Sequence, residues 1–275
     1  MIKNKIIAIK HPGKNVVEEY LRTTTDRPNS DKGYQELISF FERKYKFKDV
    51  RVIVAYVANI FLRATDRDGT ELFIKSGHHS GLYENEFQMT RQLYNINPRY
   101  FLKPLYYQDF APVQFFANEY IVAPSLETMI RNGVLGSKQR HKFIRDIYQI
   151  FLALKDSDVI HRDIRPANFL VYKNRLILID FQLAVSKTEY RELQWMREKP
   201  NRLRKLGGNG FKYKTFVWDD SYSLLKVLEF VGSDKLYADE YQKIHREIKS
   251  YIGTNTIRAA VRESAPHRLM RHIRH

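Results

Sequence analysis

His161-Arg162-Asp163-Ile164-Arg165-Pro166-Ala167-Asn168 and, twelve positions after Asn168, Asp180 within Leu178-Ile179-Asp180-Phe181-Gln182 decide the reading of this chain. Both runs hang on apolar elements. Upstream, Phe143, Ile144, Ile147, Tyr148, Phe151 and Leu154 form one stripe at helical spacing, so a long amphipathic helix runs into the first motif. Arg175-Leu176-Ile177-Leu178-Ile179-Asp180 reads as a buried strand that delivers Asp180.

The first run resembles the catalytic loop of protein kinases, H-R-D-x-x-x-x-N, and Asp180-Phe181-Gln182 resembles their metal-binding D-F-G with Gln for Gly. The resemblance to the protein-kinase-like superfamily covers about residues 50–232. It implies an α+β, two-lobed fold with a small antiparallel-sheet N-lobe and a reduced helical C-lobe. It also implies ATP and Mg²⁺ as cofactors. Phosphoryl transfer needs a carboxylate near the acceptor hydroxyl and oxygen ligands for magnesium. By the resemblance, Asp163 orients and deprotonates the acceptor, and Arg165 touches the transferring phosphate. Asn168 and Asp180 hold the metal. A structural turn with a buried carboxylate is the competing reading of this set.

Working toward the N-terminus, Glu119-Tyr120-Ile121-Val122-Ala123-Pro124-Ser125-Leu126 resembles the kinase hinge, and Glu119 and Ile121 are expected to hold the nucleotide there. Pro124 favours an extended linker. Lys75, in Phe73-Ile74-Lys75, falls where the family carries its phosphate-binding lysine. Glu84 and Glu86 are candidates for its partner; they point to different helix faces, and Glu86 is preferred. Tyr56-Val57-Ala58-Asn59-Ile60 holds no glycine where ordinary protein kinases carry a Gly-rich loop. Gln182 restricts the backbone after Phe181, because Gln avoids positive φ.

The spacing predicts a helix from Tyr34 to Tyr45, strands over Val52–Val57, Ile60–Thr65 and Glu71–Lys75, a helix from Tyr83 to Tyr94, and strands over Tyr100–Tyr107 and Gln114–Val122. Turns fall at Ala58-Asn59 and Arg67-Asp68-Gly69. The chain from Asp219 on reads as helical, with Asp220 opening a helix and holding the catalytic-loop backbone. The expected organisation is a leader over residues 1–48, an N-lobe over 49–122 and a C-lobe over 123–275.

Composition narrows the chemistry. With no cysteine, disulfides, thiolate metal sites and cysteine nucleophiles are excluded. A metal site at His78-His79 lacks ligand spacing. Aromatic residues make up 13% of the chain, against a disordered composition. No apolar run is long enough for a signal-peptide core or a membrane span. The formal charge of +16 attracts polyanions. From Leu183 to Trp218 nine Lys/Arg, including Arg197, Arg202, Arg204, Lys205 and Lys212, face three Glu. Arg258, Arg262, Arg268, Arg271 and Arg274, with Leu269, Met270 and Ile273, suit peripheral contact with an anionic membrane or, equally, a solvated basic helix end. No A-P-E sequence lies between Asp180 and Asp220. These features, with Asn85-Glu86-Phe87, resemble bacterial lipopolysaccharide and related sugar kinases (Kdo or heptose kinases). That resemblance implies a sugar hydroxyl on an anionic glycan or glycolipid as acceptor, at the cytoplasmic face of a cell membrane. A protein serine/threonine kinase and a pseudokinase binding module are the alternatives. No RNA-binding motif supports a nucleic-acid partner.

Overall fold

A computed structural model describes residues 30–55, 59–77, 81–109, 113–190, 200–208 and 210–259. The chain is α+β: a five-stranded antiparallel sheet in the N-terminal part is followed by a helical C-terminal part. The sheet runs β1 (Lys48–Ala55), β2 (Asn59–Thr65), β3 (Glu71–Gly77), β5 (Gln114–Glu119), β4 (Pro104–Gln108) in spatial order. The turn at Arg67-Asp68-Gly69 forms as expected. Gly69 adopts φ 83°, and Asp66 Oδ1 accepts from the N–H groups of Asp68 and Thr70. The turn expected at Ala58-Asn59 lies partly outside the described residues, as do Val57 and His78-His79.

Strand alternation sorts the two faces of this sheet. Leu62, Ala64, Leu72, Ile74, Phe115 and Ala117 turn one way and bury against Phe41 and Phe47. Phe41 belongs to the predicted N-terminal helix, which is α1 (Ser30–Phe40) continued by one π-helical stretch, Phe41–Tyr45. Lys46 ends it with φ 59°. Phe41 meets Phe115 edge-on at 4.9 Å and stacks on Phe47 at 6.0 Å. Phe73 and Lys75 turn the other way, into the cleft. There α2 (Leu82–Ile96) packs beside β4 and β5.

The helical part is built on α4 (Ser137–Asp156), after the short α3 (Leu126–Arg131), whose N-terminus Ser125 caps by accepting from Thr128 N–H. The stripe Phe143, Ile147, Ile150 and Leu154 buries against Leu224 and Leu228 of α6 (Asp220–Val231) and Ile244 and Ile248 of α7 (Ala238–Ser250). Here α5 is the short helix Pro200–Lys205. Two hairpin strands, β7 (Phe169–Tyr172) and β8 (Arg175–Leu178), carry the motif residues. Lys173 and Asn174 between them both have positive φ, as a two-residue type I′ turn requires. No helix among the described residues is long and apolar enough to cross a membrane.

Several predicted bounds are corrected. The strand expected over Tyr100–Tyr107 begins only at Pro104. Before it, Phe101 bridges Leu178 in parallel and Leu178 N–H donates to Tyr100 O at 2.9 Å, so this stretch ties the sheet region to β8. The strand expected over Gln114–Val122 stops at Glu119, where Tyr120 N–H makes a last bond to Glu71 O at 2.8 Å. The strand expected to reach Asp180 ends at Leu178. The C-terminal region is not helical throughout: β10 (Val217–Asp219) pairs with β11 (Thr256–Arg258). Three-residue strands are too short for periodicity to reveal. A minimal pair, β6 (Val159–Ile160) with β9 (Val185–Ser186), flanks the loop that carries Asp163.

Removing the Phe41 ring leaves a cavity between α1 and the sheet. Phe41→Ala is expected to lower unfolding free energy by about 3–5 kcal/mol in urea titration. A loss under about 1 kcal/mol would show that α1 is not part of the sheet's core.

Candidate active site

The loop of residues 161–168 is held from below by a buried carboxylate. Asp220 Oδ2 accepts from His161 N–H at 2.6 Å and Oδ1 from Arg162 N–H at 3.2 Å. Burial pushes its carboxyl up to about 7, against the pull of those two N–H groups. Asp220 is also the first residue of α6, as expected, while the residue before it, Asp219, caps the helix by accepting from Tyr222 N–H at 3.0 Å. Asp219 Oδ2 also accepts from Gly253 N–H and Thr256 Oγ1, fixing the turn before β11.

The loop itself turns at Arg162, buried with φ 67°. Its Nε donates to Leu183 O at 2.6 Å and its guanidinium lies 5.1 Å from the Trp218 ring centre. His161 is fully buried. Its Nε2 lies 2.9 Å from Ile179 O, while Nδ1 accepts from Asp163 N–H. This pattern assigns the neutral tautomer with the proton on Nε2. Burial pushes the imidazole down to about 4.

Asp163 stands above this floor. Oδ1 accepts from Gly207 N–H at 3.0 Å, and Oδ2 from Asn168 Nδ2 at 3.0 Å. Arg165 Nε lies 3.3 Å from Oδ2 but is not aimed along a hydrogen bond, so that contact is coulombic. Burial raises the Asp163 carboxyl to about 6; the Arg165 charge opposes this and the Asp180 charge adds to it. Asn168 also donates Nδ2 to Asp163 O at 2.8 Å. Among the described residues its Oδ1 is left without a hydrogen bond.

Asp180 lies just past β8, with φ 73°. The residues after it, Phe181–Leu183, form a 3₁₀ turn. The positive φ thus falls on Asp180 and not on residue 182, so Gln is accommodated at the position of the glycine in D-F-G. Phe181 is buried against His161 and Phe101. Lys75 Nζ bridges two carboxylates, Asp180 Oδ1 at 2.8 Å and Glu86 Oε1 at 2.6 Å. Glu86 is therefore the partner; Glu84 is exposed and meets Tyr107. Burial raises the Glu86 carboxyl above the ordinary range, against the pull of Lys75. Burial works the same way on Asp180, but there the Lys75 charge and hydrogen bond win and hold the group below its usual value. Neighbouring Asn85 donates Nδ2 to Ala184 O at 2.8 Å, so α2 grips the strand end on both sides.

At the end of β5, Glu119 donates its N–H to Lys103 O and accepts from Lys103 N–H on Oε1. Ile121 makes no backbone hydrogen bond among the described residues. It packs beside Ala123 and Ile179 against buried Leu102, Leu170 and Ile177, an apolar floor. Phe73 stacks between Phe61 at 5.6 Å and Tyr120 at 6.3 Å on the sheet side. The aromatic stack and the Gly207 contact were missed in the sequence. The signal for the second was Leu206-Gly207-Gly208-Asn209-Gly210, three glycines in five residues. Arg197 lies outside the described residues, as does the side chain of Arg202.

The His161 shift carries a sign. A group with a depressed folded value contributes stability above its unfolded value of 6.5, and loses it as pH falls toward about 4, because the unfolded chain binds the proton first. The contribution is on the order of 3 kcal/mol. In His161→Phe the loss of stability between those pH values should be shallower than in the parent. Parallel pH–stability curves would contradict the neutral buried assignment.

No protein-family model matches the chain. It is 25% identical over 123 residues to the protein named "Probable serine/threonine-protein kinase ndrC" of Dictyostelium discoideum, a match covering 44% of this chain and 9% of that relative. It is 36% identical over 64 residues to an Aurora kinase of Encephalitozoon cuniculi, covering 23% of this chain and 24% of that relative. These partial similarities are to protein kinases, and the sheet-then-helices architecture is compatible with a kinase-like two-lobed fold.

Proposed function

We propose that this chain is an ATP- and Mg²⁺-dependent kinase whose acceptor is a sugar hydroxyl on an anionic cell-envelope glycan or glycolipid. The observation that carries the kinase reading is the convergence of Lys75, Glu86 and Asp180 from three elements, next to a loop that presents Asp163 and Asn168. The donor set suits magnesium, which takes one or two protein carboxylates with substrate phosphates and needs no closed cage. Asp180 Oδ2 and Asn168 Oδ1 have no hydrogen bond among the described residues, and these would be its protein ligands. When bound, ATP–Mg supplies the transferable phosphoryl group and the cation that screens it.

The residues of the chain do the rest. Ile121 and the Glu119 carbonyl present backbone groups to a base edge, over the apolar floor of Leu170 and Ile179. Lys75, held by Glu86, is a fixed positive charge for phosphate oxygens. Asp163 orients the attacking hydroxyl and accepts its proton. Arg165 lies on the path of the transferred group and neutralises charge developing there.

The glycan part rests on the excess of Lys and Arg after Asp180 and on the resemblance to sugar kinases. We further propose a cytoplasmic enzyme at the inner face of a membrane. The basic C-terminal stretch that would meet it, residues 260–275, lies outside the described residues. A second reading, a protein serine/threonine kinase, is favoured by the names of the relatives. A transfer assay with acidic and phosphorylated glycans beside a peptide library separates them: label on the glycans alone supports the first reading, and label on peptides alone sinks it.

Asp163→Ala should lower transfer by about 10²–10⁴-fold or more while ATP binding stays near the parent's. Near-normal turnover would remove Asp163 from the chemistry. Asp180→Asn should lose magnesium-dependent nucleotide affinity in calorimetry. Binding as tight as the parent's would show the metal is held elsewhere.

A further inference from the structure

The cations beside Asp163 outnumber the carboxylates there. The turn after α5 brings Gly207 onto Asp163, and the stem of Lys212 lies across the same glycine. A Cβ at Gly207 would stand 3.1 Å from Lys212 Cβ and 3.2 Å from Arg162 O, so the contact closes only around a residue without a side chain. Gly207 adopts φ 89°, which also favours glycine. Gly208, next in the chain, faces the Arg165 stem at 3.8 Å by the same measure. Lys212 Nζ donates to the backbone carbonyl of Arg204 at the end of α5. Arg165 pairs with Asp163, and the Lys212 ammonium feels the charges of both Arg204 and Asp163, so Asp163 is the carboxylate these cations share. Its two oxygens already accept from Gly207 and Asn168.

Among the described residues no carboxylate pairs with Lys212 or Arg204. Burial, and next the Arg204 charge, press the Lys212 ammonium below its ordinary value. A lysine can cap a helix end through its last carbonyls. That role uses one of its three N–H donors and gives no reason for a second cation beside it. Lys212 is partly buried and Arg204 exposed, and like charges set side by side are held at a cost that an arriving anion relieves.

We propose that Lys212 and Arg204, with Arg165 on the other side of Asp163, form an anion subsite that takes a phosphate or carboxylate group carried by the acceptor sugar near the attacked hydroxyl. The inference rests on the kinase reading above and assigns the acceptor contact to particular side chains. It makes the negative charge of the acceptor a positioning element: one end is fixed by the cations, and the hydroxyl is thereby set against Asp163.

The test uses the full chain with a non-hydrolysable ATP analogue and magnesium. Binding of inorganic phosphate, a hexose monophosphate, a hexuronate, the neutral hexose and an acidic peptide is measured by calorimetry. The parent should bind the hexose monophosphate or the hexuronate at least about tenfold tighter than the neutral sugar, as a charge-assisted contact implies. Which of the two binds tighter identifies the anionic group. Lys212→Gln and Arg204→Gln should each lose most of that preference, Lys212→Arg should keep it, and Lys249→Gln, an equal charge change on α7, should leave it intact. Arg204 is exposed, so its variant remains informative if Lys212→Gln does not fold. A capping role alone would lower stability and leave the preference untouched; that result overturns the subsite. So would a parent that does not distinguish charged from neutral sugar, or one that binds the acidic peptide tighter than either charged sugar. Loss of analogue binding in the parent is a separate outcome: it overturns the kinase reading and, with it, the acceptor role assigned to the subsite.

Discussion

The site depends on one ammonium group between two carboxylates. Lys75 comes from the third strand of the sheet, Glu86 from α2, and Asp180 from the turn after β8. No covalent link or shared hairpin joins these three elements. The side chains of Lys75 and Glu86 are 12% and 2% exposed, while Asp180 keeps 39% of its side chain open. Desolvating such a cluster is costly, and a buried ion pair is weak support for stability. Its consequence is positional. The two ends of Lys75's bridge fix how far the sheet and the helical region stand apart, and the more exposed carboxylate is the one left facing the cleft.

Beneath that bridge the chain is held by backbone bonds to buried polar side chains. Asp220 collects the N–H groups of His161 and Arg162, His161 joins Ile179 to Asp163, and Asn85 donates to a carbonyl after Asp180. These anchors hold Arg162 and Asp180 at positive φ, a conformation disfavoured for side chains of this kind. The strain is local and its effect is visible: it aims Asp163 and Asp180 out of segments that otherwise run into the core.

Much of this was legible in the residues. Periodicity located the helices around Phe41, Phe87 and Phe143 and the strand carrying Lys75, because each buries one face. Glu86 was separable from Glu84 by helix geometry. What could not be read were contacts set only by tertiary closure. Tyr100–Lys103 looks like strand because it is apolar, yet its partner is Leu178, far along the chain. Asp219 and Asp220 are adjacent and chemically alike; only the fold shows that one caps α6 and the other holds the loop. The Gly207 N–H, which donates to Asp163, lies 44 positions along the chain from it, and only the fold brings the two together. The roles assigned to Asp163, Arg165, Asn168, Glu119 and Ile121 remain a proposal drawn from chemistry and proximity.

The central claim is that Asn168 and Asp180 hold the metal of a bound nucleotide. Paramagnetic NMR tests it most directly, with manganese and a non-hydrolysable ATP analogue added to the isotope-labelled full chain. The account predicts selective broadening of signals from Asn168 and Asp180, with shifts at Ile121 and Lys75 when the analogue is added with magnesium. Broadening centred elsewhere, or none at saturating analogue, would contradict it.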